Sequence, residues 1–219
     1  MSVLRGRWRD KGDEGFSVIE LVVTMGIFTT VLVVFLAAVV SMSQTTARAQ
    51  ATSDSASDIR TVFQRLDKEV RYASEINAPG TAGGDVYVEY LVPATVATSE
   101  ELCVQWRLET DAMELQRRTW PPADPDAVTG WATMVTNLRN DLTDPAQAPF
   151  IRHSAGTTAD GKVYTKQRLD VYLDAGMGEA REGGGSQLDV TFVALNTSVN
   201  SETNASADRV CLAGGVQRP

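Results

Sequence analysis

The sequence predicts an α+β chain in which one long N-terminal helix, apolar in its first half and amphipathic in its second, packs on an antiparallel β-sheet head. Three observations predict it. Between Phe16 and Met42 the only charged residue is Glu20. From Ile59 to Ala73 apolar residues (Ile59, Phe63, Leu66, Val70, Ala73) return at steps of four and three, the spacing of a helix with one buried stripe. Beyond Pro79-Gly80 the apolar repeat shortens to two, as in strands with one buried face.

Residues 1–15 are short, polar and basic, with Arg5, Arg7, Arg9 and Lys11 against Asp10, Asp13 and Glu14. The apolar segment 16–42 follows. As a helix rising ~1.5 Å per residue, its span of about 27 residues reaches roughly 40 Å, enough for a hydrocarbon core of about 30 Å. The cations precede it and the next one is Arg48, so the positive-inside rule places the N-terminus in the cytoplasm and the rest outside. A plain single-pass anchor is one generic reading. A secretory signal peptide is another, since Ala47-Arg48-Ala49 resembles a small-residue cleavage site, but signal-peptide apolar regions run about 7–15 residues. Neither accounts for a glutamate in the apolar run, where a charge costs about 2.5–3.5 kcal/mol at mid-helix and less near an end.

Residues 43–77 are predicted to continue the helix. Ser41 to Ala56 is rich in Ser, Thr, Ala and Gln and holds no Gly or Pro, while Asp58, Arg60, Gln64, Asp67, Lys68 and Arg71 fall largely opposite the stripe. A single rod to about Ile76 is the economical expectation, ended by Asn77-Ala78-Pro79-Gly80. Residues 78–219 form the head. Strands are expected at Val86–Val92, at Leu102–Leu108, at Met113–Arg117 as the second arm of a hairpin, and around Leu169–Leu173 and Leu188–Phe192.

The formal net charge of −8 and sequence pI of about 4.7 argue against nucleic-acid binding by phosphate neutralisation. Cys103 and Cys211 are the two cysteines and His153 the one histidine, too few to assemble a zinc site from Cys and His. In an exported domain Cys103 and Cys211 could form one disulfide; two separate thiols are the alternative. No nucleophile-elbow, HExxH or phosphate-loop pattern occurs, so no enzyme is expected, and His153 reads as a surface or strand-end residue. Glu182-Gly183-Gly184-Gly185 reads as a loop. Trp106 is expected in the core, with Trp120 and Trp131 open.

Gly15-Phe16-Ser17-Val18-Ile19-Glu20-Leu21 resembles the cleavage and methylation motif of type IV prepilins: a basic leader ending in glycine, an aromatic residue, and a glutamate four residues on, ahead of a long apolar helix. The resemblance implies that a prepilin peptidase cuts between Gly15 and Phe16 on the cytoplasmic face, that Phe16 becomes an N-methylated terminus, and that Glu20 pairs with the amino terminus of a neighbouring subunit during assembly. A pilin-like fold is implied with it. So is an itinerary: single-pass insertion in the inner membrane, head outside, then incorporation through the helix among other pilins or pseudopilins. Major pilins commonly carry a proline near the middle of this helix, where Val34-Phe35-Leu36-Ala37-Ala38 stands here; minor pilins and pseudopilins often lack it. Leu66-Asp67, Arg71 and Ala73, then Leu102-Cys103-Val104, Met113–Arg117, Pro149-Phe150-Ile151 and the Leu-Asp-Val strands, are similar in order to the minor pilins around the J pseudopilin of type II secretion and the W-like pilus-tip subunits. Some pseudopilins bind Ca²⁺ through loop carboxylates. Asp124-Pro125-Asp126 and Ala159-Asp160-Gly161 could do so, but the EF-hand spacing is absent and turns are the preferred reading, so no cofactor or metal is expected. The expected function is a structural minor pilin or pseudopilin that primes or caps a filament of a pilus, type II secretion or DNA-uptake system; the alternative is a membrane-anchored extracytoplasmic binding domain that never polymerises.

Overall fold

The apolar repeats resolve into one helix and two main antiparallel sheets. A computed structural model describes Gly15 and residues 17–94, 100–176, 185–204, 210–211 and 218. The helix is α1 (Val18–Tyr72). The strands are β1 (Glu75–Ile76), β2 (Gly80–Ala82), β3 (Asp85–Val92), β4 (Leu102–Glu109), β5 (Glu114–Trp120), β6 (Ala132–Val135), β7 (Phe150–His153), β8 (Gly156–Thr157), β9 (Val163–Tyr164), β10 (Arg168–Gly176) and β11 (Gly185–Val193). The larger sheet runs β1-β3-β4-β5-β6, with β2 also on β3; the smaller runs β11-β10-β7, and β8 pairs β9. The pairs are antiparallel. The architecture is therefore α+β.

The chain divides into two compact units, residues 1–47 and 48–219. In the first, α1 is exposed on all sides from Val18 onward, and this part of the helix is long and apolar enough to cross a membrane. In the second, α1 buries Ser55, Ile59, Val62, Leu66 and Val70. Ile59, Val62, Leu66 and Val70 pack in one core with Val88 and Tyr90 of β3, Val104, Trp106 and Leu108 of β4, Leu115 of β5, and Leu169, Val171 and Leu173 of β10. Phe63, expected in this stripe, is instead 38% exposed, while Val62 is fully buried. The stripe is centred between Val62 and Leu66, which leaves Phe63 on its margin.

α1 stops at Tyr72, short of the Ile76 expected from its pattern. The backbone beyond it finds better partners in the sheet. Ser74 N–H donates to the Leu91 carbonyl at 2.9 Å and Asn77 N–H to the Glu89 carbonyl at 2.8 Å, while Ile76 N–H donates to Gln167 Oε1 at 3.0 Å. Glu75 and Ile76 thereby become β1, and buried donors that a longer helix would satisfy internally are satisfied across the sheet. The expected strands at 86–92, 102–108, 169–173 and 188–192 lie within β3, β4, β10 and β11. Met113 falls in the turn before β5, with a positive φ of 53°.

A polar chain ties α1 to the larger sheet through the apolar core. Trp106 Nε1–H donates to Tyr90 Oη at 2.8 Å, and that hydroxyl donates to Glu69 Oε2 at 2.7 Å. Arg117 Nη2 donates to Glu69 Oε1 at 2.8 Å. Burial first, and then the Glu69 charge, push the Tyr90 phenol well above its ordinary pKa, so it stays a donor. Tyr90→Phe leaves the Trp106 N–H buried without an acceptor and takes one donor from Glu69. The expected cost is about 1–3 kcal/mol, read as a lower midpoint in denaturant unfolding with an unchanged slope; an unchanged midpoint would show that the chain contributes nothing net.

Candidate functional site

The first turn of α1 holds the residues that the sequence singles out. Gly15 is exposed with open space around its Cα. Phe16 lies outside the described residues, as do residues 1–14. The Leu21 N–H donates to the Ser17 carbonyl at 3.1 Å, the first intrahelical bond, so Glu20 stands in the first turn. A carboxylate there meets the positive end of the helix dipole.

From Val18 to Val40 the polar side chains are Glu20, Thr24, Thr29 and Thr30. The threonines are satisfied within the helix. Thr24 Oγ1 donates to the Glu20 carbonyl at 2.7 Å, Thr29 Oγ1 to Met25 at 2.7 Å and Thr30 Oγ1 to Gly26 at 2.9 Å. Such i−4 bonds lower the cost of taking hydroxyls out of water. The Glu20 carboxylate has no hydrogen bond or ion pair among the described residues. Between Val18 and Val40 it is the one polar side chain with no such bond among the described residues.

A second constellation occupies the face of the larger sheet that points away from α1. Cys103 of β4 and Cys211 form a disulfide, with Cα atoms 5.5 Å apart across a sequence separation of 108. Cys103 packs beside a buried Trp120, whose place the sequence left open, whereas Trp106 is in the core with α1. The neighbouring Val210 is held by Asn77: its N–H donates to Asn77 Oδ1 at 2.9 Å, and Asn77 Nδ2 donates to its carbonyl at 2.7 Å. Arg218 then lies on Glu89 of β3, Nε to Oε1 at 2.9 Å and Nη2 to Oε2 at 2.6 Å. Glu89 is fully buried and also accepts from Gln105 Nε2 at 2.8 Å and Asn77 Nδ2 at 3.1 Å. Gly80 makes room for this pair, because a Cβ there would run into the Arg218 guanidinium. Glu89 was not among the residues expected from the sequence. The available signal was a carboxylate in the middle of an otherwise apolar and aromatic strand.

His153 stands at the end of β7, its Nε2 2.6 Å from Asp170 Oδ2. The Thr191 hydroxyl donates to the other oxygen of Asp170 at 2.6 Å. Imidazole and hydroxyl thus share one carboxylate, and the histidine does not face the hydroxyl as a base must face a nucleophile. Asp124 precedes a 3-10 turn at Pro125–Ala127. Asp160 is held by Thr158 and Lys162, and these bonds keep its exposed carboxyl below the ordinary range. Among the described residues no group of three or more His, Cys, Asp or Glu converges as metal ligands. Of the loop at 182–185, Gly185 opens β11 and the rest lies outside the described residues.

No protein-family model, curated protein or solved structure matches this chain significantly.

The Glu89 site yields a test of its own. Arg218→Ala strands a buried carboxylate and is expected to cost about 3–5 kcal/mol, whereas the double change Glu89→Met with Arg218→Leu should cost much less. Equal losses in chemical unfolding would mean that the charge pairing is irrelevant.

Proposed function

We propose that this chain is a type IV pilin-like subunit, a minor pilin or pseudopilin. In this proposal the chain is held in the inner membrane by the first half of α1 with its head outside, trimmed by a prepilin peptidase between Gly15 and Phe16, methylated on Phe16, and built into a filament where it primes or caps assembly. The observation that carries the proposal is the Glu20 carboxylate, without a partner among the described residues, in the first turn of an exposed apolar helix. The three threonines between Val18 and Val40 are each satisfied at i−4.

Cleavage after Gly15 would create an α-amino group, cationic near neutral pH, one helical turn before Glu20. In an apolar bundle an unpaired charge is penalised and a paired one tolerated. Pairing Glu20 with the amine of a neighbour would therefore set the axial register between helices. A head whose helix and sheet share one core suits presentation on such a rod.

Intact-mass analysis of the chain from native membranes should find a terminus at methylated Phe16. A retained leader favours the plain anchor, and a start near Gln50 favours ordinary secretion. Glu20→Val should be exported and cleaved but should drop out of sheared filaments; normal incorporation of that variant would overturn the role given to Glu20.

A further inference from the structure

The smaller sheet has an open margin. β11 pairs with β10 on one side and, among the described residues, has no backbone partner on the other. Just past its end the Ala194 N–H donates toward β10, to the Gln167 carbonyl at 3.0 Å. In the alternation of an antiparallel ladder, Val193, Thr191, Asp189 and Gln187 therefore turn their N–H and C=O groups outward. These nine residues, Gly185–Val193, form an unused template for another strand.

The two sides of this margin differ chemically. Toward α1, a groove is lined by Phe63 and the Asp67–Arg71 ion pair of the helix and by Val190–Val193 with Leu195. Phe63 is 38% exposed and Leu195 49%, and the Phe63 ring lies 5.7 Å from that of Phe192. On the opposite face, Asp189 is exposed and has no partner among the described residues. Beside it Asp170 is already engaged, by the Thr191 hydroxyl on one oxygen and by His153 Nε2 on the other, and Tyr172 is the direct cross-strand neighbour of Asp189. The Tyr172 phenol is pushed up first by burial, then by Asp174, Asp189 and Asp144, a sign of a negative field over this face. Arg139 answers Asp174, and Arg168, at the other end of β10, rests over the Tyr164 ring. Neither pairs with Asp189.

We propose that the free margin of β11 receives an extended segment of another protein chain by strand addition. Its side chains alternate: apolar ones settle toward the Phe63 groove, and lysine or arginine side chains lie over Asp189. The pleat imposes the alternation, backbone bonds supply affinity, and the two faces supply selectivity. A second copy adding through its own β11 is disfavoured, because it brings a second Asp189 to the same face. An edge guarded only against aggregation has no need of an apolar groove beside it. The proposal does not depend on the filament assignment, and its failure leaves that assignment untouched.

The test uses the full chain in detergent micelles and fluorescent nine-residue peptides followed by anisotropy. A peptide alternating valine and lysine should bind saturably. Its valine–glutamate counterpart should bind roughly tenfold more weakly, from like charges set opposite one another, and Asp189→Lys should invert the order, with circular dichroism confirming the fold. N-methylation of alternate amides along one edge of the peptide should abolish binding. Absent binding, equal binding of both peptides, or equal binding by a peptide with the same lysines and valines in two blocks would overturn the proposal; the last outcome would reduce it to bulk attraction by an acidic chain. Concentration-dependent dimers that the peptide cannot compete away would overturn it in favour of a second copy.

Discussion

Glu69 decides how the second half of α1 meets the larger sheet. Apolar packing alone is tolerant: a helix stripe of Ile59, Val62, Leu66 and Val70 could slide over Val88, Val104 and Trp106 at modest cost. The Glu69 carboxylate removes that freedom, because it receives Tyr90 from β3 and Arg117 from β5 together, with Tyr90 already engaged by Trp106. Three strands and the helix share one polar point inside an apolar layer, where a misplaced partner leaves a desolvated group unpaired. Hydrophobic burial supplies the stability, and this chain selects the register.

The same rule organises the other face of that sheet. Glu89 sits in β3 one residue before Tyr90, so the pleat sends it to the side away from α1. It is fully buried there because Asn77, Gln105 and Arg218 surround it. The disulfide at Cys103 and the clasp of Asn77 on Val210 bring the late chain to this face. Glu69 and Glu89 thus show how the chain treats a carboxylate taken from water: each is given a guanidinium and at least one neutral donor. Glu20 breaks that pattern. It stands among exposed apolar side chains with neither among the described residues, which is why a partner from outside the chain is the proposed completion.

What the sequence made legible follows from the strength of the physical signals. A long run with one charge, steps of three and four from Ile59, and alternation at Val104-Gln105-Trp106 each have a single periodic solution, and α1, β3, β4, β10 and β11 follow them. Short strands escape such reasoning. β1, β2, β8 and β9 hold two or three residues each, and their place is set by tertiary hydrogen bonds such as that from Ile76 N–H to Gln167, which no local pattern encodes. Phe63 was misplaced because a spacing of four fits the margin of a stripe as well as its centre. Gly15 and Glu20 stood out through residue type and spacing alone. Glu89 did not, since its partner Arg218 lies far along the chain in a segment without periodicity.

Unmatched charges carry different weight in different settings. Arg60, Arg65 and Lys68 lie exposed on the polar side of α1, and water completes their hydration, so they require nothing further. Glu20 is set in an apolar run fit for a bilayer or a helix bundle, where water is scarce and a missing partner is costly. Asp189 lies in water, yet beside a row of outward backbone donors and acceptors that an added strand would cover, taking Asp189 partly out of water as well. A cation on that strand then offsets the desolvation, and an anion compounds it. Surroundings, more than charge itself, thus separate positions that solvent completes from those for which another polypeptide is proposed: the first turn of α1 along the rod, and the margin of β11 on the head.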